Sequence, residues 1–199
     1  GKISTGGVKS LSVSLDTLGT FGRTVSDVAL AVAAMSADHD LAKIDPLDHK
    51  VRIGICKTSD FAMAQEETIA ALSLASFAAK PFAKNGVPDI TLPHSCDKLS
   101  EIQTQIMLFE MAKSFTFEKL NHFDQISETL SLILKQGDLI SYSQYSASIT
   151  QTQLARSDLY RAFEDQYDIL IAPSAIGEAP STIDQTGNPI FSRGWTLTG

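Results

Sequence analysis

The sequence has few of the residues that would tie a protein to metals, membranes or nucleic acids. It contains two cysteines, Cys56 and Cys96, and four histidines without metal-ligand spacing. Its longest apolar run, residues 28–35, falls short of the roughly 20 residues that cross a bilayer. The net charge of −7 disfavours non-specific binding to nucleic acid or anionic lipid. We therefore expect no metal, no cofactor, no direct nucleic-acid or membrane partner, and free thiols in a cytoplasmic protein.

What is present is the composition of a globular domain, with 43% apolar and 20% charged residues. Short β-branched segments predict strands, and amphipathic segments between them predict helices. The predicted strands are 51–56, 87–92 and 168–172, and the predicted helices are 24–38, 65–85, 97–118, 123–135 and 141–167. A strand, a helix and a strand over 51–92 predict a parallel βαβ unit. The predicted fold class is α/β, with a mixed, partly parallel sheet covered by helices.

The remaining segments are predicted from their breaker residues. Pro81 predicts a kink or an early end in the second helix, and Gly137 predicts the end of the fourth. Residues 1–13 are predicted as loop with a short strand, 174–190 as loop, and 191–199 as irregular.

One stretch, residues 14–27, combines glycines, a helix start and opposite charges. Gly19 and Gly22 allow backbone conformations that a side chain would penalise. Thr24 can cap the helix that follows, and Asp27 can return the bond as in a capping box. Arg23 can bind a substrate, or it can pair with Asp16 or Asp27 and pin the turn. The ion pair is favoured because Asp27 offers a second local acceptor.

Residues 1–27 read GKISTGGVKSLSVSLDTLGTFGRTVSD and resemble the segment that follows the nucleophile loop of amidase signature enzymes. Departures are Lys9-Ser10 and residues 20–22, where the family often has proline or alanine. The resemblance rests on positions that fall in register without a gap, namely Ser14-Leu15-Asp16, Gly19, Arg23, Val25 and Asp27. It continues in family order at residues 51–54 (R-I-G), 85–93 (G-x-x-V…L-P), 137–145 (G-x-x-I-S-x-x-x-Y), 168–174 (D-x-L-[LI]-x-P-T, with Pro173) and 188–199 (F-N-x-x-W-[NT]-x-x-G).

The resemblance implies an incomplete amidase-signature fold in which residues 1–199 are the central-to-C-terminal part of one amidase domain, truncated at both ends. It also implies that the enzyme hydrolyses a small-molecule carboxamide with a serine nucleophile. A second serine, in a cis peptide, and a neutral lysine activate that nucleophile. None of these catalytic residues is matched in this chain. We therefore expect no catalytic residue here and no activity of this part alone.

Two serine motifs are candidate nucleophile sites. Ser4-Thr5-Gly6-Gly7 resembles the family's T-G-G-S, but Val8 stands where the nucleophile belongs. Ser95 and Lys98 spell S-x-x-K, a motif that also needs S-D-N and K-T-G partners, and the sequence contains no S-D-N. A turn and a helix cap, respectively, are the favoured interpretations.

The best pocket candidates are Ile190, Phe191 and Trp195, because aromatic residues in an irregular segment often line ligand sites. Core packing is an equally good interpretation of the two aromatics. Amidotransferase-type members of the family carry an acidic residue near this segment, where this chain has Pro189-Ile190-Phe191. The sequence therefore favours a plain amidase.

Two alternatives stay open beside the amidase. One is a protein like the A subunit of aminoacyl-tRNA amidotransferases, which would need partner subunits and tRNA. The other is a non-catalytic interaction domain descended from an amidase. Under any of these interpretations, a fragment that lacks strands would expose sheet edges and apolar surface, so we expect poor solubility or self-association, including a homo-oligomer.

Overall fold

A computed structural model describes residues 3–199, so Gly1 and Lys2 of the matched motif lie outside the described residues. This part of the chain is helix-rich with a small sheet. The helices are α1 Val25–Ser36, α2 Glu66–Ala79, α3 Leu99–Ser114, α4 Thr116–Asn121, α5 Glu128–Asp138, α6 Tyr142–Asp165 and α7 Ile190–Thr198, and the strands are β1 Ile53–Cys56, β2 Asp89–Ile90 and β3 Ile169–Ile171. None of these helices combines the length and apolar character that crossing a membrane requires.

The chain divides into two compact units. The first comprises Gly1–Asp48 and Met107–Leu139, and the second comprises His49–Ile106 and Ile140–Gly199. The sheet belongs to the second unit.

The sheet of the second unit is parallel, with strand order β2-β1-β3. The central strand β1 is buried along its whole length, as its unbroken apolar sequence predicts. Gly54 of β1 pairs with Leu170, and a Cβ at this glycine would lie 2.6 Å from Ile90 Cγ2. The α/β fold class and the parallel β1–α2–β2 unit are thus confirmed, and close packing explains the glycine of the R-I-G strand.

Several predicted boundaries differ from the structure. Helix α2 ends at Ala79, and Pro81 lies in a short 3-10 turn, so the predicted early end is confirmed. The predicted helix 97–118 is two helices, α3 and α4, and the predicted strand 87–92 is only two residues long. Residues 191–198 belong to α7, which makes the irregular prediction for this segment wrong. Between residues 3 and 13 the structure contains no strand.

The first unit is organised around two carboxylates. Asp16 Oδ2 accepts hydrogen bonds from Ser10 Oγ at 2.9 Å and from the backbone nitrogens of Leu11 and Ser12 at 2.7 and 3.2 Å. Glu110, which is 5% exposed, accepts from Ser12 Oγ at 2.6 Å through its Oε2 atom. These bonds satisfy the hydroxyl and backbone N–H donors of residues 10–12, in the segment that precedes α1. They also explain why the sequence has a buried acid at position 110.

Helix α1 begins with the predicted capping box. Thr24 Oγ1 accepts from Asp27 N at 3.2 Å, and Asp27 Oδ2 accepts from Thr24 N at 3.1 Å. The ion pair predicted for Arg23 is wrong, since Arg23 is exposed and has no ion pair among the described residues. Both of its predicted acceptors, Asp16 and Asp27, are instead occupied by hydrogen bonds to nearby donors.

Arg52 and Asp168 fasten the outer end of β1 to the chain that enters β3. Arg52 Nη2 lies 2.7 Å from Asp168 Oδ1, and Arg52 N donates to Asp168 Oδ2 at 2.7 Å. Arg52 Nη1 also donates to Asp165 O at 2.8 Å, at the last turn of α6. One guanidinium group therefore joins a strand pair to a helix end, where a cation suits the helix dipole.

We expect this pair to make the stability of the protein fall at acidic pH. The hydrogen bonds from Arg52 lower the pKa of Asp168 from 3.8 to about 2. The folded state favours the charged form of Asp168 more than the unfolded state does. The stabilisation that the Arg52–Asp168 pair contributes is therefore complete above about pH 4 and is lost as the pH falls towards 2. Urea unfolding at several pH values should show this loss in full in the wild type and in D184N, and a smaller loss in D168N, which retains the lowered pKa of Glu118. A D168N protein with the wild-type pH dependence would contradict the assignment.

Candidate functional site

The candidate site is a cleft in the second unit, at the carboxyl end of β3. It has a volume of about 420 Å³ and lies between the chain that leaves β3 and one face of α2. An adjoining cavity of about 390 Å³ shares four of its lining residues, Ser174, Ala175, Gly177 and Glu178. We call the two cavities together the β3 cleft. Ligands of α/β proteins bind outside the carboxyl ends of the strands, and ligand pockets span about 300–1,000 Å³.

The walls of the β3 cleft are mostly small and apolar. Helix α2 contributes Ala71, Leu72 and Ala75, and the chain after β3 contributes Ala172 and Pro173. Pro173, a residue of the matched D-x-L-[LI]-x-P-T motif, is buried at this wall. The sequence signal that finds this wall is the position of residues 172–178 directly after a parallel strand.

The polar groups of the β3 cleft can bind a ligand, but they do not include the lysine that the resemblance implies as the activating base. They include the hydroxyls of Thr68 and Ser174 and the carboxylates of Glu67 and Glu178. Among the described residues that line it there is no lysine, histidine or cysteine. Likewise, residues 3–199 contain no cluster of three acidic, histidine or cysteine side chains that could hold a metal ion. Activation of a serine by a neutral lysine at this cleft would require a lysine that these lining residues do not supply.

The three residues predicted to line a pocket lie together on α7, around a different and much smaller cavity. Ile190, Phe191 and Trp195 surround about 20 Å³, which is room for one water molecule. Phe191 is 1% exposed and therefore packs in the core of the unit. Contact of these residues with a substrate stays a prediction.

The two cysteines are buried free thiols. Burial raises the pKa of the Cys56 thiol to about 11, and the neighbouring Cys96 adds to the shift. Burial likewise raises the pKa of Cys96. Since the thiolate is the reactive form, neither residue is a nucleophile near neutral pH.

Neither serine of the rejected motifs lies in a catalytic arrangement. Ser95 Oγ donates to Asp158 Oδ2 at 2.7 Å, and Ser4 Oγ accepts from Gly6 N at 3.3 Å. Gly19 and Gly22 are outside the left-handed region, so the conformational reason predicted for them is wrong. Gly22 is instead required by space, because a Cβ there would lie 2.9 Å from Asp27 Cβ.

Comparisons with known proteins identify the fold. No protein-family model matches the sequence, and no curated protein matches it. Solved structures do match. An amidase crystal structure superposes with a TM-score of 0.79 at 19% identity, covering 100% of this chain and 47% of that one. A bacterial aryl acylamidase of the amidase signature enzymes family has a TM-score of 0.59 at 18% identity, covering 90% of this chain and 43% of that one. The chain has part of the amidase-signature fold.

A further match with this fold is the peptide amidase of Stenotrophomonas maltophilia, with a TM-score of 0.67 and 18% identity. It covers 100% of this chain and 48% of that protein. The chain thus spans about half the length of the amidase-signature structures it matches. The resemblance inferred from residues 1–27 and from the later motifs is confirmed at the level of the fold.

Proposed function

We propose that this chain is part of an enzyme that hydrolyses a carboxamide C–N bond to a carboxylate and ammonia or an amine. The observation that carries the proposal is the superposition on an amidase at a TM-score of 0.79 over the whole chain. The motif order along the sequence supports it independently. In this proposal, residues 1–199 are the central-to-C-terminal part of a single amidase domain in a cytoplasmic protein. The substrate is a small-molecule amide.

We place the catalytic serine, the serine in a cis peptide and the lysine outside this chain. The matched motifs all belong to the segment downstream of the family's nucleophile loop. The β3 cleft would then form one wall of the substrate pocket, and Ile190, Phe191 and Trp195 would support that wall. Asp16, Gly19, Arg23, Asp27 and Pro173 are proposed as structural residues of the motif.

The test compares the 199-residue chain with the parent polypeptide in a release assay for ammonia. We expect the chain alone to release none from benzamide, hexanamide or a peptide with an amidated C-terminus, because it lacks an activated nucleophile. The parent polypeptide should hydrolyse at least one of them. S4A and S95A variants of the chain serve as controls. Hydrolysis by the chain that is lost in S4A would place the nucleophile within residues 1–199 and contradict the proposal.

A second candidate is a non-catalytic interaction domain. Two neighbours with TM-scores of 0.71 come from a vestigial protein complex that bears on the origins of an s-triazine catabolic enzyme. Leu74 and Phe77 on helix α2 are also exposed, each 70% accessible. Large apolar side chains of a helix usually pack against another element, so these two are available to a partner. A parent polypeptide that hydrolyses no amide but co-purifies as a stable oligomer would favour this candidate.

A further inference from the structure

The start of α2 is tied to the loop that forms a wall of the β3 cleft. Gln65 N donates to Ile176 O at 2.7 Å, directly before the first residue of the helix. Thr68 Oγ1 donates to Ala175 O at 2.9 Å from the first turn. The first backbone N–H groups of a helix lack partners within the helix, so a loop carbonyl is a natural acceptor at this end. Two adjacent carbonyls of the wall are thus held by one helix end.

A third contact closes the same junction. A Cβ placed on Gly177 would overlap Gln65 Oε1 and lie 2.7 Å from Gln65 Cδ. The Gln65 side chain therefore lies against the backbone of the loop, in the space that a side chain at 177 would need. The backbone at Gly177 is not left-handed, so an alanine there is opposed by contact with the Gln65 side chain, which would have to move, and not by backbone conformation.

These contacts lie beside the residues that give the cleft its shape. Ala175 and Gly177 line both cavities of the β3 cleft, and Ala71 and Ala75 line the opposite wall one and two turns further along α2. If the junction loosens, the loop is free to move relative to α2 and the cleft loses its fixed width. Glu67 and Glu178 also line the cleft, so an uncharged amide suits it better than an anion.

We propose that Gln65 and Thr68 are positioning residues that hold loop 174–178 against α2 and so set the affinity of the β3 cleft for small uncharged carboxamides. This inference rests on the proposed function, because it assigns the amide to that cleft. No sequence pattern points to either residue, since Thr68 and its partner Ala175 are 107 positions apart along the chain.

The first experiment varies the Thr68 hydroxyl and uses benzamide as the probe. In the 199-residue chain, NMR titration should shift the amide signals of Ser174, Ala175 and Gly177. T68V should raise the dissociation constant for benzamide about fivefold and the rate of amide hydrogen exchange at 175–178 about fivefold. A factor of about five corresponds to the loss of one ordinary hydrogen bond. T68S keeps the donor and should restore both. S73A is the matched control, because the Ser73 hydroxyl donates within α2 to Ile69 O at 2.9 Å.

The second experiment tests the Gln65 contact by rescue. G177A alone should displace the Gln65 side chain, raise exchange in the loop and weaken benzamide binding. Adding Q65A removes the obstructing atoms and should bring the loop exchange of the double variant below that of G177A. Equal exchange in G177A and Q65A/G177A would overturn the steric part of the proposal.

The outcomes separate this inference from the proposed function. Unchanged exchange in T68V overturns the junction, and raised exchange with unchanged benzamide affinity overturns the assignment of the amide to the cleft. In the parent enzyme, we expect T68V to raise KM with little change in kcat, and an unchanged KM would also overturn the inference while amide hydrolysis still stands. A parent polypeptide that hydrolyses no amide would overturn the proposed function even where the exchange and binding results hold.

Discussion

F191A is expected to lower the free energy of unfolding by about 3–5 kcal/mol, the usual cost of truncating a buried phenylalanine. Phe191 is 1% exposed and packs with Leu99, Leu159 and Trp195 around a cavity of only about 20 Å³. The cost includes the lost burial of the ring and the void it leaves, because neighbours on α3, α6 and α7 are held by their own helices. Urea unfolding followed by circular dichroism measures it.

The control for F191A is F77A on α2. Phe77 is 70% exposed, so its truncation should change the free energy of unfolding by no more than about 0.5 kcal/mol. A loss of less than about 1 kcal/mol in F191A would contradict the core assignment, since buried phenylalanines cost more. In that case Phe191 would be better interpreted as a residue that faces a ligand.

G137A is expected to destabilise the first unit, although Gly137 lies in helix α5 and alanine is normally the better residue in a helix. An added Cβ would overlap Leu108 O and lie 2.8 Å from Ala112 Cβ, both on α3. Overpacking against a backbone atom costs about 3 kcal/mol, because no side chain can turn away. Replacing a helix glycine with alanine returns about 1 kcal/mol of propensity. The net loss of unfolding free energy should therefore be about 2 kcal/mol.

The matched control for G137A is G19A, in the same unit. Gly19 has no heavy atom within 4 Å of an added Cβ, and its backbone is not left-handed. Its free energy of unfolding should stay within about 0.5 kcal/mol of the wild type. If G137A were as stable as G19A, α3 and α5 would not approach each other as closely as described here.

Local signals predicted the parts of the fold that depend on neighbouring residues. The capping box of Thr24 and Asp27, the buried strand β1 and the end of α2 before Pro81 all follow from short-range chemistry. They are also the parts that the structure confirms. The predicted ion pair of Arg23 failed because closer backbone and hydroxyl donors reach Asp16 and Asp27 first.

Tertiary contacts decided what local signals did not predict. Gly137 was predicted to end a helix, and α5 does end one residue beyond it at Asp138, while close packing with α3 also requires a residue without a side chain at this position. Residues 191–199 were predicted as irregular, yet Gly194 lies within α7, where an added Cβ would be 3.3 Å from Leu99 Cβ. A glycine inside a helix and a glycine that ends one look alike in a single sequence.

The cleft could not be predicted from sequence patterns because its walls come from distant segments. Thr68 and Ala175 are 107 positions apart, and Arg52 and Asp168, which align β1 with β3, are 116 apart. The sequence placed Pro173 in a matched motif after β3, but it did not predict a pocket wall there, and nothing in it pairs that segment with α2. Pairing of this kind follows only from the order of strands in the sheet.

The central claim is that this chain is the downstream part of an amide hydrolase whose catalytic residues lie outside it. The most direct test is the intact mass of the parent polypeptide as expressed, together with its N-terminal sequence. The account predicts residues before Gly1 that include a lysine, two serines and a Gly-Gly-Ser loop. A parent polypeptide that begins at Gly1 would contradict the claim and favour the interaction domain.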